Sequence, residues 1–326
     1  MCTAISDVRG SHLFGRTLDL ECSYGEGLVI LPCRFPLKFL HGSPETRHFA
    51  MIGTAHIENG QPLFYDAMNE YGLCGAALNF PGYAKYAPYC EGKTNLASFE
   101  VLPRVLAECR STDEAVKLLS GANITDEAFS KELPPTPLHW IFADRARCIT
   151  VEPTVLGVII YDNPCRTLTN APSFPYHMTN LANYMNLTAM PPENTLCPDV
   201  SLSPYSRGMG AIGLPGDFSS ASRFVRAAFV KHNTTGADGS NRISRFFHIM
   251  DTVGVPKGAV MTSEGAPVST IYTSCADTES LTYYFTTYAC RRIRAVRLDR
   301  SSAGSDMKVV SMDACEDILY NEEPVR

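Results

Sequence analysis

The apolar periodicity of this chain switches four times, and the order of the switches constrains the fold more than any single motif. The first 80 residues read as strands. Short apolar or alternating runs at Cys2–Ile5, Leu13–Leu18, Leu28–Leu31, Phe49–Ile57 and Cys74–Asn79 are punctuated by Gly10, Gly25, Gly42, Gly60 and Gly72. Helical spacing then puts Phe99, Leu102, Val105, Leu106 and Cys109 on one face, with Pro103 tolerated near the first turn. Ser111-Thr112-Asp113-Glu114 is a capping box that opens a short helix ending before Gly121. Strands return at Leu138–Ala143, Cys148–Glu152 and Leu156–Tyr161. The run Val155–Tyr161 is apolar on both faces, which predicts a strand covered on both sides. Helices are expected over Ser222–His232 and Arg242–Val253, then strands over Ser269–Ser274, Leu281–Thr287 and Ile293–Leu298. This order is not a regular βαβ alternation, which argues against a doubly wound parallel sheet. It predicts an α+β fold with antiparallel sheets layered between helices, as one domain over residues 1–326. Residues 187–222 lack periodicity and are rich in Pro and Gly. A loop that long inside a compact domain serves function or assembly.

Composition narrows the function classes. At 45% hydrophobic and 19% charged the chain is a folded globular protein. A net charge of −6 argues against a nonspecific grip on nucleic acid, which needs a basic face. The longest apolar runs fall short of the roughly 20 residues that span a bilayer. The N-terminus shows no basic region followed by an apolar one, so no secretory signal is expected. A cytoplasmic protein with reduced thiols follows as the default. None of the twelve cysteines forms a C-x-x-C pair, which removes zinc ribbons, thioredoxin-like sites and haem attachment. Eleven of them read as small packing residues.

Several motifs fail on their context. Gly208-Met-Gly210-Ala-Ile-Gly213 follows a polar stretch instead of a strand, and Pro215 and Gly216 stop any helix there, so it reads as a loop. Gly92-Lys93-Thr94 lacks the earlier glycine of a phosphate loop, because Ala87 stands there. The eight histidines include no H-E-x-x-H, and His41, His48 and His56 read as structural. No G-x-S-x-G elbow is present. Asn123, Asn186 and Asn233 begin sequons that read as chance. Arg291, Arg292, Arg294, Arg297 and Arg300 read as the solvated side of a strand.

One cysteine differs by its address. Cys2 follows the initiator methionine, and its small side chain makes removal of Met1 expected. Cleavage would leave one residue holding both a thiol and a free α-amine. An α-amine titrates close to neutrality, so the residue carries a nucleophile and a matched base. The alternative is that Cys2 is a packed residue of the first strand. Arg16 and Asp19 stand close by in Gly15-Arg16-Thr17-Leu18-Asp19. A guanidinium favours a thiolate, and a carboxylate orients an ammonium. Asn79 in LNFPG and Asn170 in TNAPSF stand beside strand-end turns, where amides suit an oxyanion. Arg223 lies at the expected start of a helix in GDFSSASRF.

Taken together, MCT at the start, FGRTLD at 14–19, MNEYGL and LNFPG at 68–82, LHW at 138–140, LTNAPSF at 168–174 and LPGDFSSASRF at 214–224 run through most of the chain. In that order they resemble the choloylglycine hydrolase family, which holds bile salt hydrolases and penicillin V acylases. The resemblance implies a four-layer αββα sandwich of the N-terminal-nucleophile hydrolases. It implies Cys2 as nucleophile, with its α-amine taking and returning the proton. Arg16 would polarise the thiol and Asp19 would anchor the α-amine. Asn79 and Asn170 would hold the oxyanion, and Arg223 would hold the network. No cofactor and no metal is implied. The substrate would be a small-molecule conjugated bile acid, cleaved at its amide through a thioester. Capture of the acyl group by an amine would give N-acyltransfer.

Within the family, asparagine at position 79 goes with bile salts, where penicillin V acylases often carry tyrosine. The same alignment suggests an apolar pocket from Leu18, Leu20, Tyr24, Phe129, Leu133 and Leu138. Ser206-Arg207-Gly208 falls where the family tunes the amino-acid end, and Arg207 would face the sulfonate of taurine or the carboxylate of glycine. Assembly as a homotetramer, with the 187–222 loop taking part, is also implied. Two alternatives stay open: an acylase for penicillin V or N-acyl homoserine lactones, and a non-catalytic steroid-binding protein with an inert Cys2.

Overall fold

A computed structural model describes residues 1–41, 45, 47–236, 241–299, 304–312 and 315–320. The chain opens with β1 (Cys2–Asp7), β2 (Leu13–Leu20), β3 (Gly27–Leu31), β4 (Met51–Glu58), β5 (Gln61–Asn69), β6 (Cys74–Asn79) and β7 (Thr94–Ala97). Helices α1 (Val101–Glu108) and α2 (Thr112–Ser120) follow, then β8 (Ala122–Thr125), β9 (Leu138–Ala143), β10 (Cys148–Thr154), β11 (Gly157–Asp162) and β12 (Thr167–Leu168). Next come α3 (Phe174–Leu181), α4 (Ser220–Asn233) and α5 (Arg242–Asp251). Strands β13 (Val260–Met261), β14 (Pro267–Asp277), β15 (Thr282–Thr287), β16 (Arg294–Arg297) and β17 (Lys308–Ser311) close the chain.

Two antiparallel sheets dominate. The first runs β12-β1-β2-β14-β15-β16, with β13 paired to β14. The second runs β11-β10-β9-β6-β5-β4-β3-β17. Strand alternation explains how they stack, because successive side chains point to opposite faces. In the second sheet Leu28, Ile52, Met68, Ala76 and Ile141 join one core with Cys2, Phe14, Leu18 and Tyr272 of the first sheet. Their neighbours Val29, Met51, Ala67, Ala77 and Trp140 face the other way, onto Val101, Leu102 and Val105 of α1 and Leu119 of α2. Ile5, Leu13 and Cys275 turn outward from the first sheet onto Ala227 of α4 and Phe246 and Met250 of α5. The layers are helix, sheet, sheet, helix: the α+β sandwich expected from the motifs. Among the described residues no helix is long and apolar enough to cross a membrane.

The structure revises several expectations. The run Val155–Tyr161 is not covered on both sides. Val155 and Leu156 form a tight hairpin and are 82% and 87% exposed, and β11 is an edge strand of intermediate burial. Apolar content alone did not separate the turn from the strand. Strand β5 escaped notice because the polar Asp66 and Asn69, both buried, interrupt its alternation. Helix α4 begins within the expected loop, at Ser220, because the Ser219 hydroxyl accepts from the Ser222 amide. The capping box at α2 is only half closed. Ser111 accepts from the Glu114 amide, but the Glu114 carboxylate accepts from Arg110 N instead of Ser111 N. Gly208 adopts φ +82° and leads into a single 3-10 turn, so the glycine motif is a loop. Of the eleven other cysteines, Cys74, Cys109, Cys148, Cys165, Cys275 and Cys290 are buried, whereas Cys22, Cys197 and Cys315 are exposed and Cys33 and Cys90 lie between; all are free. In the arginine run, Arg291 pairs with Asp251, and Arg292 and Arg294 pair with Asp317. Gly42 and Arg300 fall outside the described residues.

Candidate active site

Strand register assembles the first half of the site. Cys2 of β1 lies opposite Leu18 of β2, and Ala4 opposite Arg16. By alternation Cys2, Arg16 and Leu18 share the face between the sheets, while Thr3, Thr17 and Asp19 share the face toward α4. The Arg16 guanidinium is fully buried and donates through Nη2 to Cys2 Sγ at 2.6 Å. Its remaining donors meet backbone carbonyls: Nε to Thr17 O at 3.2 Å, and Nη1 to Tyr65 O at 3.1 Å and Ala77 O at 2.6 Å. Burial alone would weaken its hold on the proton. Cys2, Tyr272, Asp66 and Asp19 outweigh burial and raise the guanidinium above its ordinary value.

The second half arrives from loops and from α4. Asn170 Oδ1 accepts from Cys2 N at 2.8 Å and from Arg223 Nη2 at 2.6 Å. Its Nδ2 donates to Asn79 O at 2.7 Å. Two donors on one atom and an acceptor on the other leave a single orientation for this amide. Arg223, fully buried on α4, also donates through Nη1 to Cys2 O and to Thr3 Oγ1, the latter at 2.7 Å, and through Nε to Phe218 O at 3.0 Å. Burial lowers the hold of Arg223 on its proton, and Asp19 and Cys2 oppose that. Asp19 accepts from Thr270 Oγ1 at 2.7 Å and Thr17 Oγ1 at 3.1 Å. The Met1 amine donates to Asp19 O at 2.6 Å, and Asp19 N donates to Met1 O at 3.0 Å. With Met1 in place, Cys2 N is a peptide nitrogen. Asn79 differs from its neighbours: its Oδ1 is buried and has no hydrogen-bond partner among the described residues.

All six residues expected at a reaction centre therefore converge. The apolar positions divide. Leu18 is buried opposite Cys2, Leu20 packs on the same core, and Leu138 lies opposite Asn79 across β9 and β6. Phe129 and Leu133 share a backbone bond at 3.2 Å, and Phe129 meets Phe99 edge-on. Tyr24 is half exposed and donates to Glu21. Arg207 is exposed on the long loop. No described hydrogen bond or ion pair joins Tyr24, Phe129, Leu133 or Arg207 to the six.

Sequence reasoning missed two features beside Cys2. The Tyr65 phenol is pushed up by burial and by the charge of Glu26, and it lies close enough to Cys2 and Arg16 to feel both. Asp66 is fully buried behind Arg16 and accepts from Tyr272 at 2.5 Å, Tyr283 at 2.6 Å and Ser274 at 3.0 Å. Burial pushes this carboxyl up, while Arg16 and the three hydroxyls pull it down. The strand pairs that meet there come from distant parts of the chain, so no local pattern announces them. Among the described residues no group of three His, Cys, Asp or Glu could hold a metal ion.

The profile of the linear amide C–N hydrolases, choloylglycine hydrolase family, matches residues 2–316. The chain belongs to the choloylglycine hydrolase family. A bile salt hydrolase/transferase of Lactiplantibacillus plantarum is 44% identical over 301 residues, covering 92% of this chain and 93% of that protein. A conjugated bile acid hydrolase of Lactobacillus acidophilus is 36% identical over 289 residues, covering 87% and 92%. A crystal structure of a conjugated bile acid hydrolase variant from Clostridium perfringens superposes with a TM-score of 0.91 at 35% identity, covering 98% of this chain and 99% of that one. The penicillin V acylase of Agrobacterium tumefaciens shares the fold, with a TM-score of 0.73 at 20% identity, over 95% and 91%. As a choloylglycine hydrolase family member the chain is a hydrolase of linear amide C–N bonds.

Proposed function

We propose that this family member, once Met1 is removed, is a bile salt hydrolase that cleaves glycine- and taurine-conjugated bile acids with Cys2 as nucleophile. The observation that carries the reading is the 2.6 Å contact from Arg16 Nη2 to Cys2 Sγ, beside a Cys2 nitrogen already seated on Asn170. Removing one residue turns that nitrogen into an α-amine within reach of its own thiol. The amine takes the thiol proton and Sγ attacks the amide carbonyl. Asn79 Nδ2 donates to the oxyanion. Collapse of the tetrahedral intermediate breaks the C–N bond, and the α-ammonium gives its proton to the leaving amine. Water, activated by the same amine, hydrolyses the thioester and restores the thiol. An amine in place of water would give N-acyltransfer.

Asn170 has its side-chain amide committed to Cys2 N, Arg223 and Asn79 O, so it serves the α-amine rather than the oxyanion. Asp19, next to the vacated Met1 slot, helps to hold that amine. Leu18 and Leu20, on the core between the sheets, line the steroid side, whereas Leu138 packs with Trp140 on the core facing α1 and α2 and is left out of that wall. Arg207 on the long loop faces the anionic end of the substrate and favours taurine, and the same loop takes part in a homotetramer.

The test is product detection on taurine and glycine conjugates and penicillin V, using protein whose loss of Met1 is confirmed by intact mass. Cys2→Ala is expected to abolish hydrolysis while the fold persists. Undiminished activity of Cys2→Ala refutes the mechanism, and preferred turnover of penicillin V refutes the substrate.

A further inference from the structure

Two histidines absent from the mechanism bind the segment that carries Asn170. His139 on β9 and His177 on α3 are both fully buried. His139 Nε2 lies 3.0 Å from Thr169 O, and His177 Nε2 lies 2.9 Å from Asn170 O. A carbonyl only accepts, so each ring carries its proton on Nε2. The rings also stack on phenylalanines that directly follow site residues. His139 lies flat on Phe80, at 4.1 Å and 9°, and Phe80 follows Asn79. His177 lies flat on Phe224, at 4.7 Å and 12°, and Phe224 follows Arg223. Each imidazole thus ties the 169–170 backbone to a different partner of the site. Burial lowers the His177 imidazole below its ordinary value, against the opposing pull of the backbone at Asn170 and Pro172 and of Glu152.

We propose that His139 and His177 are positioning residues that set Asn79, Asn170 and Arg223 against one another around Cys2. The inference rests on the amidase reading above. Asn170 must present Oδ1 to the amine of Cys2 and Nδ2 to Asn79 O at once, which small shifts of its backbone would spoil. Displacements of about 1 Å cost up to roughly 100-fold in rate. Both rings are closed off from solvent, so substrate binding should be spared.

The experiment compares His177→Phe, His177→Gln and His177→Asn with wild type, all processed at Met1, with kcat and KM measured per folded molecule. Phenylalanine keeps the stack and loses the N–H. Glutamine reaches as far as Nε2 and keeps the N–H. Asparagine keeps an amide that falls short. The expected result is a kcat lowered about 10-fold or more in His177→Phe and His177→Asn, KM within about 3-fold, and His177→Gln recovering most of the rate. Should His177→Phe fail to fold, the glutamine and asparagine pair carries the same comparison. Wild-type kcat in His177→Phe or His177→Asn overturns the proposal, as does a change confined to KM or a glutamine variant no better than asparagine. A wild type that cleaves no acyl amide refutes the amidase reading itself, and the proposal with it.

Discussion

Asn170→Ala is the most informative single change at the site. It deletes an amide that accepts from Cys2 N at 2.8 Å and Arg223 Nη2 at 2.6 Å and donates to Asn79 O at 2.7 Å. The bond from the buried guanidinium is charge-assisted and worth about 1.5–3 kcal/mol, and the two neutral bonds add about 0.5–1.5 kcal/mol each. Because Arg223 is fully buried, solvent cannot replace the lost acceptor. The expected loss of stability is about 3–5 kcal/mol, a large share of the roughly 5–15 kcal/mol that a domain possesses. Activity should fall by about 100-fold, mainly in kcat, since the α-amine loses its anchor but the apolar wall at Leu18 and Leu20 remains. Urea unfolding at constant slope and steady-state kinetics on a taurine conjugate measure both. A stability loss below about 1 kcal/mol together with unchanged kcat would show that the amide is not holding Arg223 and Cys2.

Other outcomes test the framework. Gly15→Ala should yield no folded enzyme, because a Cβ there would lie 1.9 Å from Ser274 O and prise β2 from β14 beside Arg16; soluble active protein would contradict that pairing. His12 is pushed down to about 4 by burial and by Arg166, against 6.5 in the unfolded chain. The unfolded state therefore binds the extra proton between those values. Stability should be complete above about pH 6.5 and decline by about 3 kcal/mol toward pH 4. A urea midpoint equally acid-sensitive in His12→Asn would exclude His12 as the source.

What could be read from the chain alone followed from local physics. The strands around Cys2, Leu28 and Met51 declare themselves by apolar runs, and α1 and α2 by helical spacing and a serine cap. Cys2 stands out through its position alone, since removing a single residue would give it a free α-amine. Features fixed by long-range pairing stayed hidden. Strand β5 carries Asp66, whose three hydroxyl donors lie more than 200 positions away. Helix α3 begins right after the Asn170 segment, and its His177 gains meaning only where it meets Asn170 O. The opposite error occurred at Val155–Tyr161, where a hairpin turn and an edge strand looked like buried interior.

Sequence alone sufficed for the layered α+β class, for the six residues that converge and for the position of Cys2 behind the initiator methionine. These depend on side-chain type, on periodicity and on motifs a few residues long. Tertiary structure alone decided which atom serves which partner. An asparagine can donate or accept, and sequence leaves both roles open for Asn170. Its role is set because Cys2 N and Arg223 Nη2 converge on one end of the amide and Asn79 O on the other. Hydrogen-bond direction is a property of the neighbours in space, and those neighbours come together only when the sheets close around them.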